Sequence, residues 1–168
     1  MNNKYNIILE HTYSAFCRQD DRKRDLETKT SYLLTVALIL LGFIIEFVDI
    51  KHIFEIQTYD MKFIIITVFI SIIYFATLGV IFTVIIMYIR ILFNKIYANI
   101  NVDKMVEKEF LEKDESDICK QLSEKYADFC DENTEINDKQ ASNFKIATIF
   151  LYVALLLLVV MYILFIFV

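Results

Sequence analysis

The sequence has no proline and only two glycines in 168 residues. These are the residues that break or loosen helices, so long uninterrupted helices are the default expectation. Histidine is nearly absent too, present only as His11 and His52. The three cysteines, Cys17, Cys119 and Cys130, are odd in number and lack metal-ligand spacing. No zinc site of a recognisable pattern can be assembled from these residues, and the cysteines read as reduced cytosolic thiols. There is no glycine-rich phosphate loop, no nucleophile elbow and no histidine beside a candidate nucleophile. The chain is therefore expected not to be an enzyme, and nothing in it asks for a cofactor. A removable signal peptide is not expected, because no short apolar run ahead of a cleavage site opens the chain. The net charge of −5 argues against general affinity for duplex nucleic acid.

What fills the chain instead is apolar: 57% of it is hydrophobic. From Tyr32 to Val48 a single charge occurs, Glu46, and a run of that length nearly crosses a hydrocarbon core of ~30 Å. Met61 to Phe93 is interrupted by charge only at Lys62 and Arg90. That run exceeds the ~20 residues a bilayer needs, so its helix should tilt or project. Within it Ala76, Gly79 and Thr83 follow helical spacing, as close helix packing requires. Phe144 to Val168 carries no charge after Lys145 and looks like the most lipid-exposed of the three runs.

The expected fold is all-α and membrane-bound. Residues 1–30 form an amphipathic cytosolic helix with a basic collar. Residues 31–93 form a transmembrane hairpin with spans at about 31–49 and 61–93, followed by an acidic helical cytosolic insert over 94–143 and a third span over 144–168. Between Asp103 and Asp138 thirteen acidic residues face five lysines, a local balance of −8. Val102, Val106 and Phe110 mark one helix of the insert, while Ile118, Leu122, Tyr126 and Phe129 mark a second, capped by Asp114 or Ser116. A break is expected at Asp131–Thr134. Fifteen of the seventeen Lys and Arg residues lie before the first span or from Arg90 to Lys145, against two in the short connection. The basic side faces the cytoplasm, which puts the C-terminus outside the bacterial inner membrane.

Two sets of residues are candidates for function. The collar, Arg18, Arg22, Lys23, Arg24 and Lys29, is either a topology signal or a phosphate-binding surface, since arginine's planar fork engages two oxygens at once. It can also pair with the acidic insert. The second set is the stripe Ser31, Thr35, Gly42, Glu46 and Asp49, which shares one helical face with Leu38. A small-and-polar stripe needs a helix partner or water beside it, so it is either a packing face or the lining of a pore.

At Leu26–Leu34 the sequence resembles the transmembrane effectors of the bacterial Pycsar anti-phage systems, which carry an Asp-x-Lys-Ala-Ser-x-Leu-Leu type stretch entering the first span. Glu27, Lys29, Ser31, Leu33 and Leu34 fall on that pattern, and Thr30 takes the place of the usual alanine. The layout of leading helix, hairpin, cytosolic insert and final span is similar as well. SLATT effectors share the leading helix and the span pair. The resemblance implies a defence effector whose cytosolic face senses a nucleotide signal and whose spans then depolarise or permeabilise the inner membrane. It also implies a ligand made by a partner nucleotidyltransferase or cyclase, either a cyclic nucleotide, as in Pycsar, or a short oligonucleotide, as in the Hailong systems. Three helices of one chain cannot enclose a water path, so a homo-oligomer of three to five subunits is expected. The alternative is a non-conducting membrane scaffold that recruits a soluble partner through its cytosolic helices.

Overall fold

The computed structural model describes residues 2–47, 61–93 and 113–166, and all of its regular structure is helical. Helix α1 spans Asn2–Phe47, α2 spans Met61–Leu92 and α3 spans Glu115–Ile166. The Val102–Phe110 helix, Asp49 and the connection of residues 48–60 lie outside the described residues. α3 begins where the acidic cluster predicts a cap. The Asp114 carbonyl accepts from the amides of Asp117 and Ile118 at 3.0 and 3.1 Å, and Glu115 and Asp117 occupy the first turn, where the helix dipole favours carboxylates.

One expectation is overturned. No break occurs at Asp131–Thr134, because α3 runs through it without interruption. Thr134 donates to the Cys130 carbonyl at 2.7 Å and Asn133 is fully buried, so neither side chain competes with the helix.

The chain divides into two compact units, one of Met1–Thr28 with Asn94–Ala141 and one of Lys29–Phe93 with Ser142–Val168. In the first, α1 and α3 run parallel. Asn6 meets Cys119, Tyr13 meets Tyr126, Gln19 meets Asn137 and Arg22 meets Asp138, so both numbers rise together.

In the second unit the core is Ala37 and Ile44 of α1, Ile70, Tyr74, Ile81, Val84, Ile85, Tyr88 and Ile91 of α2, and Ala147, Leu151, Ala154 and Met161 of α3. On α2 the buried positions 70, 74, 77, 81, 84, 88 and 91 alternate steps of four and three, the repeat of a left-handed helical coil. Small residues sit at the tightest points of the seam: Thr30, Ala37, Thr77, Ala147 and Ala154 are all fully buried, which lets backbones approach closely. Tyr88, also fully buried, satisfies its hydroxyl on Thr148 Oγ1 at 3.2 Å. Thr148 already donates to the Phe144 carbonyl, so Tyr88 is the donor.

The outside of this unit is apolar as well. Ile39, Ile65, Phe75, Tyr152 and Leu156 are each about 60% exposed or more. All three helices contain a stretch long and apolar enough to cross a membrane. The three apolar stretches differ little in burial, with 17% of the residues of that in α1 buried and 22% in those of α2 and α3.

Candidate functional site

The face of α1 that packs in the second unit carries Thr30, Leu33, Leu34, Ala37, Leu40, Leu41 and Ile44. Helical geometry therefore turns Ser31, Thr35, Gly42 and Glu46 away from the core, and all four are exposed. Thr35 donates to the Ser31 carbonyl at 3.0 Å, a local bond that hides the hydroxyl but supplies no tertiary partner. A Cβ added at Gly42 would meet nothing within 4 Å. On α2, Ala76, Gly79 and Thr83 also point outward, and a Cβ at Gly79 would likewise meet open space. The small residues flagged by spacing are thus not the ones that bring helices of this chain together. Thr30, Ala37, Thr77, Ala147 and Ala154 do that.

The collar lies on the other unit, Lys29 excepted, and most of it is engaged. Arg22 Nη2 lies 2.7 Å from Asp138 Oδ1, a pairing between the collar and the acidic stretch ahead of the third apolar run. Lys23 pairs with Glu27 at 3.7 Å and Arg24 with Asp20 at 3.3 Å. Arg18 donates to Ser14 Oγ at 3.0 Å, and Lys29, though exposed, is engaged as well. Four carboxylates, Asp20, Asp21, Asp25 and Glu27, interleave with the five cations of 18–29, leaving this segment one net positive charge. A phosphate bound there competes with these carboxylates, and only stacking several copies concentrates the positive charge.

Reasoning from hydrophobic periodicity missed the interior of the first unit. Ser123, Asn133, Asn137 and Gln140 are all buried, alongside Cys119. Asn137 Nδ2 donates to both the backbone carbonyl and Oε1 of Gln19 at 3.0 Å, and the Cys119 thiol donates to Asn6 Oδ1 at 3.0 Å. The signal was present in register: 133, 137 and 140 continue the four-three steps of 144, 147, 151, 154 and 158.

Toward the start of both helices Tyr126 takes Tyr13 edge-on at 5.3 Å and Phe16 at 5.4 Å. Asn6, Leu9, Glu10, Tyr13, Leu122 and Tyr126 line an open groove of about 300 Å³. A hydrogen bond with Cys17, and then its charge, raises the titration of Tyr13. For Tyr126 burial is the main cause of a rise, with Cys17 adding to it. Both phenols therefore stay neutral through the physiological range. Among the described residues no three His, Cys, Asp or Glu side chains gather as a metal ion would require.

Among the described residues the fold is thus all-helical, with three helices long and apolar enough to cross a membrane. No family model, curated protein or solved structure matches it.

Proposed function

We propose that this chain is an oligomeric membrane effector of bacterial anti-phage defence. It forms a pore controlled by a nucleotide or oligonucleotide ligand on its cytosolic side, and it depolarises or permeabilises the inner membrane when the ligand arrives. The observation that carries the pore is the outward face of α1, where Ser31, Thr35, Gly42 and Glu46 are exposed among apolar neighbours. In hydrocarbon such a face is costly, and water or another copy beside it removes the cost. Three helices of one chain do not enclose a water path, so several copies surround an axis. The Leu26–Leu34 stretch and the layout of helices support the defence role. The segments of α1 and α3 that precede their apolar runs pack together in one unit, which supports placing the N-terminus and the acidic insert on one side of the membrane, the basic cytoplasmic side.

The deciding experiment reconstitutes the purified chain in planar bilayers, with oligomeric state measured in parallel. Gly42 has open space around it in its own chain, so Gly42→Leu leaves the single subunit intact and acts only where copies meet. In a pore, Gly42→Leu blocks conduction with assembly retained, and Glu46→Gln lowers cation preference. Loss of the oligomer in Gly42→Leu assigns the face to packing instead. A chain that conducts under no condition, with cyclic nucleotides or short oligonucleotides supplied, leaves the non-conducting scaffold.

A further inference from the structure

The described charged side chains of the second unit are Lys29, Glu46, Arg90 and Lys145, all exposed. Two of the cations stand at one level. Tyr88 bonds Thr148 and packs its ring 6.1 Å from that of Phe144. Lys145 lies between those two contacts, and Arg90 lies two residues, or ~3 Å of helix rise, beyond Tyr88. Among the described residues neither Arg90 nor Lys145 has a hydrogen-bond or ion-pair partner. This sets them apart from Arg22, Lys23 and Arg24, each of which holds a carboxylate.

What lies next to each cation is apolar. Ile86 is one helical turn before Arg90 and Ile149 one turn after Lys145, so each isoleucine shares a face with its cation. They are 50% and 52% exposed, and Ile89 and Ile146 beside them are 41% and 42% exposed. α2 ends just past Arg90, whereas Lys145 opens the apolar run of α3. Both isoleucines therefore lie on the interior side of their cations.

We propose that Arg90 and Lys145 hold the phosphates of anionic phospholipids, with the acyl chains lying along Ile86 and Ile149. A soluble phosphate would satisfy the charge and leave the isoleucines bare. A lipid satisfies both, because its headgroup and chain are joined in the same order as the cation and the apolar face. The inference rests on the second unit lying in a membrane, and it is independent of whether the oligomer conducts.

The test counts lipids retained by the detergent-solubilised full chain in native mass spectrometry, with phosphatidylglycerol and phosphatidylcholine of matched chains offered together. Phosphatidylglycerol is retained over phosphatidylcholine by about fivefold per engaged cation at low salt, and the preference shrinks as salt rises. Arg90→Gln with Lys145→Gln removes most of it, and Arg90→Lys with Lys145→Arg keeps it. Millimolar inorganic phosphate leaves the bound lipid in place. Equal retention of the two lipids by the unaltered protein overturns the proposal without need of any variant. So does an undiminished preference in the double glutamine variant, and so does displacement by inorganic phosphate, which makes the site one for a free anion.

Discussion

The two units bury the same repeat and fill it with opposite chemistry. In the first, α3 turns Cys119, Ser123, Asn133, Asn137 and Gln140 inward; in the second it turns Ala147, Leu151, Ala154 and Met161 inward. Their surfaces differ in the reverse sense. The exposed large apolar residues of the first unit are Ile7, Ile8 and Tyr13, among those described, whereas the second is covered with them. A polar interior inside a polar surface forgoes apolar burial and gains directional bonds that fix one register. An apolar interior inside an apolar surface gains nothing from leaving its surroundings if those are lipid, so shape and close approach must hold it. The helices are therefore joined by hydrogen-bond geometry in one unit and by packing in the other.

The largest effect expected is in the packed unit. Ala147 is fully buried on the seam, and Ala147→Leu inserts three carbons where backbones approach. Overpacking of this kind costs about 1–3 kcal/mol where the surroundings shift and more where they do not. Ala76→Leu, on the exposed face of α2, is the control and changes the stability of the single chain little. Thermal unfolding in detergent separates them. Equal midpoints would mean that the second unit is not held by close packing.

The opposite substitution tests the first unit. Replacing Asn137 and its partner Gln19 together by leucine removes the donor pair of Asn137 to Gln19 along with the acceptor side chain, and adds apolar burial. Buried polar groups exchanged for apolar ones of similar size are often neutral or stabilising, so the double leucine variant holds or gains about 1–2 kcal/mol. What it loses is register. Spin labels attached at the exposed Asp21 and Glu135 should then report a broader spread of distances than in the parent. Asn137→Ala alone goes the other way, losing about 1–2 kcal/mol because Gln19 Oε1 is left without that donor. A double leucine variant that unfolds would show the amides to be the unit's main stabiliser, and the comparison would fail.

This contrast also marks what was legible in the sequence. Three apolar helices followed from length and the absence of proline, since nothing else suits an apolar run such as 61–93. The outward stripe of α1 was legible as a face, because spacing alone groups Ser31, Thr35, Gly42 and Glu46. Which face packs was not, because leucine and isoleucine line both sides of that helix and only tertiary contact ranks them. The break read at Asp131–Thr134 came from poor helix formers in a row. Tertiary burial of Asn133 overrides that propensity, and an amide that is a poor helix former in isolation becomes a seam residue once Gln19 is opposite its neighbour. The collar was legible as charge, and its pairing with the acidic insert as an alternative, but not which residues pair, since Asp138 is 116 positions from Arg22.

The smallest expected effect concerns that pair, and it asks whether charge or buried amides set the register of the first unit. Arg22 and Asp138 meet at 2.7 Å, but their side chains are 45% and 62% exposed. Pairs so wet contribute about 0.2–1 kcal/mol by double-mutant cycle. Arg22→Asp alone loses the attraction and adds repulsion against Asp138, with Asp21 beside it in sequence. Asp138→Arg alone does the converse beside Lys139. Combined, the reversed pair recovers most of the loss, and the coupling shrinks as salt rises from 0.01 to 0.5 M, as expected of exposed charges whose Debye length falls from ~30 Å to a few Å. The amide bonds of Asn137 lie out of solvent one residue before Asp138 and should be indifferent to salt over that range. If the charge reversal shifts the Asp21–Glu135 label distance while salt does the same to the parent, register is set at the rim of the unit. If that distance holds through both, the buried amides set it, and the salt bridge only decorates an alignment already made beneath it.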